Sequence, residues 1–218
     1  MNQLSIPNFL NTRHPISWVL QVLHGAINNN LISNGTALFF SKYRYIPQSF
    51  IDDRSIFTLP LWQLTADKSY LNNASSLDYN EELAFHSQLF DFGVNYHLPL
   101  IDFGNVDRGI IDSSPLRDLA AHWGISFRIY NSGRSFHAYG DRLIKENEWV
   151  KFMGSLLLLN KPSGFKLIDE RWVGHRIMAG YSALRWSCNT SHYKKSPVSI
   201  GLLNSHGLFM DYNNKDDF

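Results

Sequence analysis

Cysteine is almost missing from this sequence: Cys188 stands alone among 218 residues. One cysteine closes no internal disulfide and builds no four-cysteine zinc ribbon, and a reducing, cytoplasmic location is the expectation. Long apolar runs are missing too. The patch Leu156–Leu159 is far short of the roughly 18 residues that read as a bilayer span, so no membrane partner is expected. Residues Met1 to Arg13 lack the basic stretch, apolar centre and small-residue cleavage site of a signal peptide. Excess charge of one sign is also missing: the formal net charge is +1, which argues against a strongly basic protein that coats nucleic acid. There is no phosphate-binding Walker loop, no G-x-G-x-x-G and no G-x-S-x-G nucleophile elbow.

What is present describes a globular chain. Hydrophobic residues make up 44% and charged residues 18%, a balance that excludes disorder and fits one domain over residues 1–218. The charge is unevenly placed. Acids dominate from Asp52 to Asp107, where only Arg54 and Lys68 oppose them. From Lys161 to Lys195 the bases dominate, opposed only by Asp169 and Glu170. An acidic segment beside a basic one can bind metal and phosphate together, or can be ordinary solvated surface.

Periodicity gives the elements. His14 to Ile27 carries apolar residues at helical spacing, and Thr36 to Tyr45 reads as an aromatic-rich strand. Ile56 to Leu61 is strand-like, and Glu81 to Phe90 reads as a short helix. His97 to Phe103 has the pattern of a buried strand. Ser114 caps a helix with Pro115 in its first turn, and Gly124 ends it. Two strands, Ile125 to Tyr130 and Ser135 to Tyr139, flank the turn Asn131-Ser132-Gly133-Arg134. Asp141 is placed to cap a helix running to about Leu158. Phe165 to Ile168 is a short strand delivering Asp169, Arg171 to Met178 a helix, and Ser182 to Cys188 a strand. The expected class is α+β, a mixed sheet with helices packed on it.

Three pieces of this order carry chemistry: Asp102 at a strand end, Ser135-Phe136-His137 after a glycine-containing turn, and Asp169 followed across a helix by Leu184-Arg185-Trp186-Ser187. The order resembles the three motifs of the archaeo-eukaryotic primase (primase-polymerase) superfamily: a strand-end acidic motif, a Ser-x-His motif, and a later acid leading to a basic strand. Ser132-Gly133-Arg134-Ser135-Phe136-His137 looks like the fuller form of the second motif. The resemblance covers roughly residues 95–200; residues 1–94 form a portion of unassigned role.

The resemblance implies an RRM-like core and metal-dependent nucleotidyl transfer from a nucleoside triphosphate on a DNA or RNA template or end. It implies Mg²⁺ or Mn²⁺ on Asp102 and Asp169, with His137 completing the catalytic set. Ser132, Arg134, Ser135, His137, Arg185 and Lys194 would bind the nucleotide. A protein partner supplying template binding or helicase function fits the same picture. The first motif usually carries two acids two residues apart, but the second position here is Gly104; Asp107 is the remaining candidate for that ligand. The alternative is a degenerate module that binds nucleotide or nucleic acid without turnover. Each residue also has a plainer reading. Asp102 can end a strand, His137 can be a half-buried hairpin histidine, Asp169 can cap a helix, and Arg185 can pair with Asp169.

Overall fold

A computed structural model describes residues 12–67, 71, 76–104 and 111–211. The chain begins with helix α1, Pro15–Asn28, where His14 is the N-cap and its Nδ1 accepts from Ile16 N–H. With Nδ1 accepting, the other ring nitrogen donates to the carbonyl of Trp186, 2.9 Å away. Strand β1, Ala37–Tyr43, then pairs with β2, Arg54–Pro60, and the short helix α2, Leu61–Ala66, follows.

The centre of the first sheet is β3, Glu82–Asp91, flanked by β1 on one side and by β4, Val94–His97, and β9, Ala183–Arg185, on the other. The expected helix at Glu81 to Phe90 is therefore a strand. Its residues from Glu82 to Ser87 are all buried, so the polar/apolar alternation that marks a half-exposed strand is absent. Strand β8, Ile144–Lys145, completes this sheet beside β4. For that reason the next helix starts at Glu146, not at Asp141.

The expected buried strand from His97 to Phe103 is split at Leu98-Pro99, where the chain passes from one sheet to another. Leu98 N–H donates to Ser87 of β3, while the Pro99 carbonyl accepts from Gly140 N–H in the second sheet. That sheet runs β11-β10-β6-β7-β5, from β5, Leu100–Asp102, β6, Phe127–Asn131, and β7, Phe136–Gly140, to the hairpin β10, Val198–Asn204, and β11, Gly207–Met210. Every pairing among the described residues is antiparallel. The α+β class holds, but two antiparallel sheets replace the single mixed one, because hairpins and sheet-to-sheet passages take the place of parallel crossovers.

Helices α3, Ser114–Trp123, α4, Glu146–Leu157, and α5, Glu170–Ala179, bury Leu116, Phe152 and Val173 against the second sheet. Gly124 and Gly180 adopt the left-handed conformation that ends α3 and α5. Helix α1 packs in a separate cluster that joins the first sheet to Leu100, Tyr130 and Tyr139 of the second, and Trp172 touches both clusters. No helix among the described residues is long and apolar enough to cross a membrane.

Candidate functional site

Where the edges of the two sheets meet, a cleft of about 520 Å³ opens, lined by Asp102, Ser132, Ser135, His137, Asp169 and Arg185 among others. Asp102 ends β5 directly opposite His137 of β7, with Oδ1 3.6 Å from Nε2. That separation is longer than a hydrogen bond. Just past β5, Phe103 bridges Ile168, and Asp169 N–H donates to the Asp102 carbonyl at 3.1 Å. The two acidic residues are thus main-chain neighbours although 67 positions apart in number (169 − 102).

Asp169 is the N-cap of α5, its Oδ1 accepting from Trp172 N–H at 2.9 Å. The capping expectation is met. One carboxylate oxygen serves the cap, so the role does not consume the group. Burial lifts the Asp102 carboxyl well above the usual carboxylate range; the charge of Asp169 lifts it further, against the pull of Arg185 and Arg176. His137 is buried, its Nδ1 has no hydrogen-bond partner among the described residues, and burial with the nearby Arg185 charge pushes its pKa far below the ordinary value and keeps the ring neutral.

Arg185 does not take Asp169 as its hydrogen-bond partner. Its guanidinium lies 4.0 Å from the centre of the Tyr193 ring and donates to the carbonyls of Ser132 at 2.7 Å, Lys195 at 3.1 Å and Ser187. Carbonyls satisfy N–H groups without cancelling the charge, so the cation's field stays in the cleft. Ser135 Oγ donates to the carbonyls of Phe103, at 2.9 Å, and Gly104; Ser132 Oγ donates to the Ser135 carbonyl at 2.9 Å. Both hydroxyls brace the turn and the strand end. Arg134 is exposed on the cleft wall. Lys194 is not among the lining residues; it packs behind the turn at Gly133, whose φ of +108° suits glycine.

Gly104 has a steric explanation. A Cβ there would sit 2.6 Å from the carbonyl oxygen of Lys166, while Gly104 N–H donates to Leu167 at 3.0 Å. The segment carrying Asp169 lies against position 104, so a second acid at the usual spacing has no room. Gly104→Ala and Gly104→Asp should each cost about 1–3 kcal/mol in urea unfolding, and unchanged stability in both variants would refute the steric reading. Asp107 lies outside the described residues. No group of three or more His, Cys, Asp and Glu side chains arranged to hold a metal occurs among the described residues.

Other lining residues escaped the sequence reading. Tyr43, Asp52 and Arg54 reach the cleft from the N-terminal portion, and Arg176 comes from α5. Arg176 had a detectable signal: it falls three residues after Val173, on the buried face of its helix.

A family model described as archaeo-eukaryotic primase 1D-like matches residues 62–198, more than half of the chain. The chain belongs to this archaeo-eukaryotic primase-like family. No curated protein and no solved structure matched it. The family match starts well before residue 95, so the primase-like region takes in the central strand β3 as well as all three motifs.

Proposed function

We propose that this primase-like protein binds a nucleoside triphosphate in the cleft and transfers its nucleotidyl group to a DNA or RNA strand. One observation supports it most: Asp102, Asp169, His137 and Arg185, distant in sequence, share one cleft. Two adjacent carboxylates suit a single Mg²⁺ or Mn²⁺, because such an ion is commonly held by one or two carboxylates with waters and substrate phosphates filling its other positions. When bound, that ion supplies positive charge beside the transferring phosphoryl group. The Asp102 carboxyl, raised first by burial and then by the Asp169 charge, fits this reading, since a cation relieves both. His137, neutral and on the cleft wall, would hydrogen-bond a phosphate oxygen through its ring. Arg185, fixed by main-chain carbonyls, would offset phosphate charge without moving. The strand's terminal hydroxyl would give its proton to water and attack the α-phosphorus; the new O–P bond forms as the bond from the α-phosphorus to the bridging oxygen breaks, and pyrophosphate leaves.

The crowding at Gly104 favours a second reading, a pocket that binds nucleotide without turnover. Extension of a labelled primer with Mg²⁺ or Mn²⁺ separates the two. On the transferase reading the wild type incorporates nucleotide and Asp169→Asn does not. Asparagine caps a helix as well as aspartate and relieves the repulsion on Asp102, so without metal the variant should melt no lower than the wild type. Wild type that incorporates nothing, yet melts higher with cation and triphosphate, supports the binding pocket; about 2.7 kcal/mol of stabilisation is expected at a hundredfold excess over Kd. Absence of both effects ends both readings.

A further inference from the structure

Arg176 is 2% exposed, yet its Nε and Nη1 have no hydrogen-bond partner among the described residues. Its Nη2 pairs with Asp52 Oδ2. The same carboxylate receives Arg54, whose Nε lies 2.7 Å from both oxygens. Arg54 is itself held by Ser41 Oγ at 3.1 Å and by the Tyr43 ring, 4.3 Å from its guanidinium carbon. Two guanidinium groups therefore converge on one carboxylate, and buried N–H donors remain unused beside it. One carboxylate neutralises one of these cations. A phosphate brings a larger charge and three oxygens, and it suits the planar guanidinium forks that here surround a smaller anion.

The two sides of this cluster are built differently. Arg54 opens β2 and Arg176 sits in α5, whereas Asp52 belongs to the connection 44–53. Phe50 and Ile51 of that connection are 83% and 76% exposed, and Arg171 Nη2 ties it to α5 through the Ser49 carbonyl at 3.1 Å. Asp52 can leave without unpairing a strand. Arg176 also acts electrostatically on Asp102, and both line the same cleft.

We propose that Arg54 and Arg176 form a phosphate subsite for the outer phosphates of the nucleotide, and that Asp52 is an internal competitor which a phosphate must displace. The placement of the subsite rests on reading the cleft as a nucleotide site. Triphosphate binding would thus be coupled to a movement of the connection 44–53, and a ligand with fewer phosphates would leave Asp52 in place.

The test uses the full chain and inorganic tripolyphosphate, with EDTA present so that no divalent ion contributes, read by titration calorimetry well below the melting transition. Asp52→Asn keeps the shape and removes the competing charge, and should bind tripolyphosphate about tenfold more tightly than wild type; Arg176→Gln should bind it about tenfold more weakly. Unchanged or weaker binding by Asp52→Asn overturns the proposal. If Arg176→Gln does not fold, the Asp52→Asn result decides alone. A gain confined to a single-stranded oligonucleotide, with none for tripolyphosphate, also overturns it, because the subsite would then serve a strand. Failed primer extension alongside the tripolyphosphate gain would remove the transferase reading and leave the subsite standing.

Discussion

Acidification from neutral pH to about pH 5 should cost the fold several kcal/mol, a large part of the roughly 5–15 kcal/mol that holds a domain together. Three buried histidines are the cause. Burial pushes His97 down to about 4 and His86 down to about 2; Arg54 and Arg176 add to the shift of His86. His137 is driven well below 6.5 by burial and by Arg185. Each ring is neutral in the folded chain and takes a proton near its ordinary 6.5 once unfolded. Their contribution is complete above that value and is lost as pH falls below it, until the folded pKa is reached. Each group removes about 1.4 kcal/mol per pH unit in that window, so His86 and His97 together remove about 4 kcal/mol by roughly pH 5, and His137 adds to the loss. Asp102, whose carboxyl is raised, works the other way and returns part of this, one group against three. Urea midpoints measured across the window test the expectation. His97→Phe should flatten the slope by about a third; a phenyl ring keeps the stacking on Trp149, at 4.7 Å between centres, and Ser87 Oγ retains the Ser182 N–H as donor. Stability that stays level from neutral pH to about pH 5 would contradict this account.

Elements with chemical punctuation were legible in the sequence. Helix α3 carried Pro115 near its start and Gly124 at its end, and α5 ran between Asp169 and Gly180. The turn at Gly133 placed Ser135 and His137 correctly on β7 and its approach, and Asp102 was read at its strand end. Elements whose environment is set by the tertiary fold were not legible. Strand β3 is covered on both faces, so its period vanished and Glu81 to Phe90 looked helical. Among the described residues Phe165 to Ile168 makes one isolated bridge, through Ile168, and the hairpin β10–β11 was not legible although Asn204-Ser205-His206-Gly207 has turn composition. Local pattern also cannot say which sheet a strand joins. Asp102 and Arg185 were expected in one sheet, yet β5 and β9 lie in different ones and meet at the cleft. The contribution of Tyr43, Asp52 and Arg54 was invisible for the same reason, since nothing near residue 50 announces a partner on α5.

Asp102→Asn should move function and stability in opposite directions. The side chain keeps its shape and loses its charge. In the absence of cation the wild-type carboxylate is disfavoured by burial and by Asp169. The folded state therefore prefers the protonated form, and wild-type stability declines as pH rises through the raised pKa. Asparagine carries no such dependence, so at neutral pH the variant should have a higher urea midpoint than wild type in EDTA. Adding Mg²⁺ or Mn²⁺ with a triphosphate should reverse the order, because the cation relieves the wild-type repulsion and finds no carboxylate in the variant. Primer extension should fall at least about a hundredfold, since even groups that only support a metal ligand cost 10–100-fold when removed. A variant that melts lower than wild type in EDTA would show that Asp102 is a structural partner of His137 and the strand end. Extension at the wild-type rate would take Asp102 out of the reaction. Gain in EDTA together with loss of extension is the result that only a functional carboxylate, held at a cost to the fold, produces.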